Sequence, residues 1–166
     1  MIPVTKREAA IRQLDAAIKL FFAEADMIAV HTLVGASIQV MLGLGHPQGI
    51  QSPIRSSDYI YKDRLKDWIN ALNRTQNFLK HADKDRDEVL QYSEESTILL
   101  IMEAVILAEN LSLQEGSKAQ LAFKVWFLVA YPELIDPDAL ARIEAIESSG
   151  VNHCERSLWA SYLADA

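Results

Sequence analysis

The sequence predicts an all-α, single-domain bundle of six to eight helices. Apolar residues recur at helical spacing almost throughout. Helix-start signals recur along the chain, and no alternating, strand-like pattern is longer than Glu88–Tyr92. At 166 residues, half of them apolar and 23% charged, the chain can bury one core but is short for two ordinary domains. Six glycines and five prolines leave little of it for long loops.

Thr5-x-x-Glu8 is a capping box, and Ile11, Leu14, Ile18, Phe21 and Phe22 then fall on one face, giving a helix over residues 6–23. Asp26 caps a second helix over 27–43, which Gly43, Gly45 and Pro47 end. Residues 45–56 form a loop. Ser56 or Ser57 opens a third helix over 58–72, with Tyr61, Leu65, Trp68, Ile69 and Leu72 inward. Asn73–His81 is a short fourth helix or an irregular turn, and Asp83–Asp87 a polar turn. Ser93 starts a long apolar helix over 94–111, and Ser117 starts one over 118–131 that stops before Pro132. Asp136-Pro137 opens a helix over 137–148, closed by Gly150, and Asn152-x-x-Glu155 opens the last, over 153–164. Trp68, Trp126 and Trp159 read as core. Glu103, the odd charge in Thr97–Ala108, either lies on a polar stripe with Ser96 and Asn110 or is buried against a cation, and Lys124 in the next helix could pair with it.

Charge is unevenly spread. Residues 1–61 are net 0, residues 62–86 carry 7 basic and 4 acidic side chains, and residues 87–166 carry 4 basic and 14 acidic, for −7 in all. An acidic chain is a poor general binder of nucleic acid, but a local basic stretch can still face an anion. The bland reading of that stretch is a solvated face of mixed charge. A single cysteine, Cys154, excludes an intramolecular disulfide framework and a thiolate metal site. Its neighbour His153 does not make a catalytic pair by adjacency alone. The charged N-terminus lacks a signal peptide's apolar core. Met27–Gly45 has no Asp, Glu, Lys or Arg, but its polar residues and marginal length fit a buried bundle helix better than a membrane span. These features predict a cytoplasmic protein.

Several chemistries are missing. There is no Glu-x-x-His, as a bundle di-iron site needs, and no His-Glu-x-x-His of a zinc peptidase. The glycine-rich Gly43–Gly49 run follows a helix and lacks the P-loop lysine. No cofactor or resident metal is expected. The polar functional groups concentrate instead in residues 73–88. They surround Phe78-Leu79 and include Asn77, Lys80, His81, Asp83 and Asp85. His31, on an uncharged helix face, points inward, and a buried imidazole needs hydrogen-bond partners. His81 or an Asp of the following turn could supply one, which would lock residues 77–85 to the core. On that reading Asp83 is tied to backbone amides or to imidazole.

Phe21-Phe22, His31-Thr32-Leu33 and Asn77-Phe-Leu-Lys80-His81-Ala-Asp83-Lys-Asp85 together resemble a family of small bacterial helical proteins, over roughly residues 10–110. That resemblance implies a bacterial cytosolic helical protein and supplies no activity. A second resemblance is to HEPN domains, which are all-α, often dimeric and in many cases ribonucleases. Their motif is an Arg followed by a polar residue, with about four to six residues before a His. Arg74-Thr75 and His81, with six residues between, match its long end. The resemblance implies Arg74 and His81 as catalytic residues, RNA as substrate and a homodimer. The chemistry is coherent, since an Arg can stabilise a pentacovalent phosphate and a His can move protons for 2′-hydroxyl attack. The plainer alternative is a non-catalytic interaction protein, with the His31/Asn77–Asp85 lock as structure. A third reading places Asp83, Asp85, Asp87 and Glu94 at EF-hand positions 1, 3, 5 and 12, although Glu88 replaces the glycine such a loop needs at position 6.

Overall fold

The computed structural model describes residues 1–52, 54–55, 61–81, 83, 86–113, 116–134 and 155–164. The chain is all-α, with six α-helices and no strand among the described residues. They are α1 (Lys6–Phe22), α2 (Met27–Gly45), α3 (Leu65–Lys80), α4 (Glu94–Asn110), α5 (Lys118–Ala130) and α6 (Arg156–Ala164), with short 3-10 turns at His46–Gln48 and Pro132–Leu134. The helix expected over 137–148 lies outside the described residues, as do its signals Asp136-Pro137 and Gly150, and Asn152, His153 and Cys154.

Local chemistry sets most helix starts. Thr5 and Glu8 close a reciprocal capping box on α1, Asp26 accepts from Ile28 and Ala29 N–H on α2, and Ser117 accepts from Gln120 N–H on α5. At α4, Ser93 occupies the cap position, but its hydroxyl bonds Glu95 instead of a backbone amide. Gly43 does not end α2. The helix runs to Gly45, and Gly49 at φ +70 turns the chain only after the 3-10 turn carrying Pro47.

Four helices build the core. α2 packs along α1 and α4, α5 closes on α1, and α6 lies against α1. Phe21 makes edge-on contacts with Phe22, Phe123 and Trp126, and Phe22 stacks on Trp159. The Arg156 guanidinium caps this cluster, 4.1 Å from the Phe21 ring centre. Two polar ties cross it: Ser37 Oγ donates to the Ala10 carbonyl at 2.8 Å, and Asp15 accepts from Ser117 Oγ at 2.7 Å and from Gln120 Nε2 at 2.9 Å. Met27–Gln48 is long and apolar enough to cross a membrane, and 44% of its most hydropathic window is buried, so part of its surface is left outside the core.

The sequence misjudged α3 in two ways. Residues 65–80 are one helix, not a helix ending at 72 followed by a separate piece. The polar run that reads as a break is a second helical face, because Asn73, Gln76 and Lys80 lie at helical spacing and turn toward neighbours. Trp68 is at the surface, 36% exposed, with its indole N–H on the Ile54 carbonyl at 2.8 Å, and Tyr61 is also exposed. Of the α3 residues only Gln76 is buried.

α1 and α4 both end on non-glycine residues in the left-handed region, Glu24 at φ 53 and Ser112 at φ 46. Each is followed by an amide reaching back five residues, Ala25 to Leu20 at 3.0 Å and Leu113 to Ala108 at 3.2 Å. This is the helix stop that glycine serves without a Cβ penalty. Glu24→Gly and Ser112→Gly are each expected to raise stability by about 0.5–1 kcal/mol, read as a higher denaturant midpoint at unchanged slope.

Candidate functional site

Three polar groupings sit on this scaffold. The first is built on His31. α2 is apolar on nearly all sides, which carries the ring inward to 1% exposure. Its Nδ1 lies 2.8 Å from Thr97 Oγ1, and Thr97 Oγ1 lies 2.6 Å from the Tyr92 hydroxyl, which donates to the Met27 carbonyl at 3.0 Å. A carbonyl only accepts, so that last bond orients the chain. Tyr92 gives its proton to Met27, Thr97 donates to Tyr92, and His31 Nδ1–H donates to Thr97. The imidazole is the neutral Nδ1–H tautomer, and its Nε2 has no hydrogen-bond partner among the described residues. Burial pushes the His31 pKa down to about 4 and raises that of Tyr92.

The second grouping centres on Glu103. Its carboxylate is fully buried and bonds Ser52 Oγ and Arg55 Nε, the latter at 2.7 Å. Arg55 Nη1 also donates to Asn73 Oδ1 at 2.7 Å. Ser52 Oγ accepts from the amides of Ile54 and Arg55, which fixes the turn carrying Arg55. Asn73 stands one turn before Gln76, whose side chain fits against Gly35. A Cβ at Gly35 would come within 2.2 Å of Gln76 Oε1, so an alanine there would push the end of the Gln76 side chain out of this position.

The third grouping is the outer face of α3. Arg74 is exposed and lines an open groove of about 490 Å³ with Asn70, Ala71, Asn77, Phe78 and Glu88. Its Nη2 donates to Glu88 Oε1 at 2.9 Å. His81 is exposed at the helix C-cap, where its own amide bonds the Asn77 carbonyl. Arg74 and His81 are seven positions apart on one face, with backbones about 10 Å apart along the axis, and no hydrogen bond joins their side chains. Lys80 leaves this face and donates to Gln39 of α2 at 2.8 Å.

These placements revise the local expectations. His31 Nδ1 takes Thr97, near Tyr92, and no described residue of 77–85 bonds that imidazole. Asp83 is exposed and makes no hydrogen bond among the described residues, and Asp85 lies outside them. Of the cation-loop positions, Asp83 and Asp87 are exposed and Glu94 is the first residue of α4. No group of three His, Cys, Asp or Glu side chains that could hold a metal occurs among the described residues. Glu103 pairs with Arg55, and Lys124 pairs with Glu109 at 2.7 Å, because Glu103 faces α2 and the loop before α3, away from solvent. Ser52, Arg55, Asn73 and Gln76 were missed as site residues. One signal was present: Arg55 is the only Lys or Arg between Lys19 and Lys62, as Glu103 is the only charge in Thr97–Ala108. Two isolated, opposite charges in apolar surroundings are candidates for each other. No known protein family model, curated protein or solved structure matches the chain.

Two stability effects follow. A His whose folded pKa is depressed from about 6.5 to about 4 binds its proton more readily in the unfolded chain. Stability is therefore full above pH 6.5 and declines as pH falls from 6.5 to 4, by about 3 kcal/mol in total. Urea melts across that range should show the decline, and His31→Phe should flatten it. Arg55→Met leaves a buried carboxylate unpaired and is expected to cost about 3–5 kcal/mol. Arg55→Met with Glu103→Leu should recover most of that loss in the same melts, since no buried charge remains.

Proposed function

We propose that this protein is RNA-directed and acts at phosphodiesters through Arg74 and His81, in the cytoplasm and as a homodimer. The observation that carries this reading is the exposed line Arg74–Asn77–His81 along α3, with Arg74 lining an open groove. Neither Arg74 nor His81 is used by the core, and the basic stretch of residues 62–86 lies on the same helix and its flanks. Arg74 and Asn77 bind and orient the phosphate. His81 takes the proton from the 2′-hydroxyl, whose oxygen attacks phosphorus as the bond to the 5′-oxygen breaks. The Arg74 guanidinium stabilises the charge on the pentacovalent phosphate. The products are a 2′,3′-cyclic phosphate and a 5′-hydroxyl, which takes up the proton. A second copy related by a two-fold axis would bring another Arg74 and His81 to the groove.

The Arg74–Glu88 ion pair favours a second reading, in which α3 is a non-catalytic structural and interaction helix and Arg74 ties it to the segment before α4. The two readings separate at Glu88. Labelled RNA is incubated in EDTA with wild type, Arg74→Ala, His81→Ala and Glu88→Gln. Under the first reading Arg74→Ala and His81→Ala each abolish cleavage, and Glu88→Gln increases RNA affinity by freeing the guanidinium. Arg74→Ala should change stability by less than about 1 kcal/mol, because an exposed ion pair contributes little. Wild-type cleavage no greater than that of Arg74→Ala, with a monomer in sedimentation, decides for the second reading.

A further inference from the structure

A small, partly enclosed space lies where α2, α3, α4 and the Arg55 turn meet. It measures about 30 Å³, and Gln76, Asn73 and Arg55 line its polar side. Gln76 is 5% exposed, and both its Oε1 and its Nε2 are buried without a hydrogen-bond partner among the described residues. A primary amide stripped of water on both ends is costly, so such groups in folded proteins are satisfied by a neighbour or by a bound polar molecule. Exchanging the amide's oxygen and nitrogen changes nothing here, since neither has a partner.

We propose that Gln76, Asn73 and Arg55 form a buried hydration site that holds one or two water molecules as a permanent part of the fold. Size and charge select the occupant. A water needs roughly 10–15 Å³ of such space, so about 30 Å³ suits one or two waters and is small for a larger polar molecule. The Arg55 charge is already neutralised by Glu103 at 2.7 Å, so the lining offers no net charge to an ion. The polar partners suit water. Gln76 offers one acceptor and two donor hydrogens, and a guanidinium has five donor hydrogens, more than the Arg55 bonds to Glu103 and Asn73 consume. Gly35 leaves room for the Gln76 amide in this position, because a Cβ there would displace it. The bound water would join Gln76 to the Arg55–Asn73 pair, making one polar seam between α3 and the core. This inference does not depend on the phosphate reading of the outer face.

The test uses the full-length protein labelled with ¹⁵N. Rotating-frame and laboratory-frame cross-relaxation spectra are recorded at the Gln76 side-chain amide, where opposite peak signs separate a bound water from proton exchange. Long-lived waters are counted by ¹⁷O relaxation dispersion in wild type and Gln76→Met. Expected are water cross-peaks at Gln76, at least one long-lived water fewer in Gln76→Met, and a melting temperature roughly 3 °C or more below wild type. No water cross-peak at Gln76, or a Gln76→Met variant that melts above wild type with an unchanged water count, overturns the proposal by showing a dry, unpaired amide. If Gln76→Met does not fold, the wild-type cross-peaks decide alone.

Discussion

A carboxylate with no solvent access must be neutralised, and Glu103 is that carboxylate. It sits at 0% exposure in an otherwise apolar stretch of α4. Leaving it unpaired would cost several kcal/mol, a sizeable part of the stability of a domain this size. That demand draws in the turn after α2, where Ser52 and Arg55 bond the carboxylate together. Arg55 passes the constraint on, since its Nη1 holds Asn73 of α3. One buried charge thus fixes a loop and sets the position of a helix that contributes almost nothing to the apolar core.

The molecule accordingly has two kinds of attachment. α1, α2, α4 and α5 are held by apolar and aromatic burial, which is large and non-directional. α3 is held mainly by directional contacts: Asn73 on Arg55, Lys80 on Gln39 and the Trp68 indole on Ile54, with Gln76 packed against Gly35. Directional contacts set an orientation more finely than area does, and they break one at a time. The result is a helix whose inner polar line is committed to the fold, leaving Arg74, Asn77 and His81 on the outer one.

His31 is a different use of a buried polar group. Its ring bonds a side-chain hydroxyl, and the order of donors is decided by a backbone carbonyl at the start of its own helix. That arrangement ties α2 to the start of α4 and to Tyr92 with a neutral imidazole, so no counter-ion is needed. The same burial that keeps it neutral makes the fold sensitive to acid.

The sequence by itself determined the fold class and the starts of α1, α2 and α5, because Thr5, Asp26 and Ser117 act on amides within three residues. It also marked His31 and Phe21-Phe22 as inward, since a face without charge has few places to go but the core. Tertiary structure decided the partners. Arg55 and Glu103 are 48 positions apart, and Thr97 is 66 from His31. Nothing local relates such residues, so the sequence offers Lys124 as a mate for Glu103 and does not single out Arg55. The continuity of α3 through Asn73–Lys80 was decided in the same way. Read alone, that polar run looks like an end to the helix, and it is helical because Arg55, Gly35 and Gln39 wait on the other side to receive it.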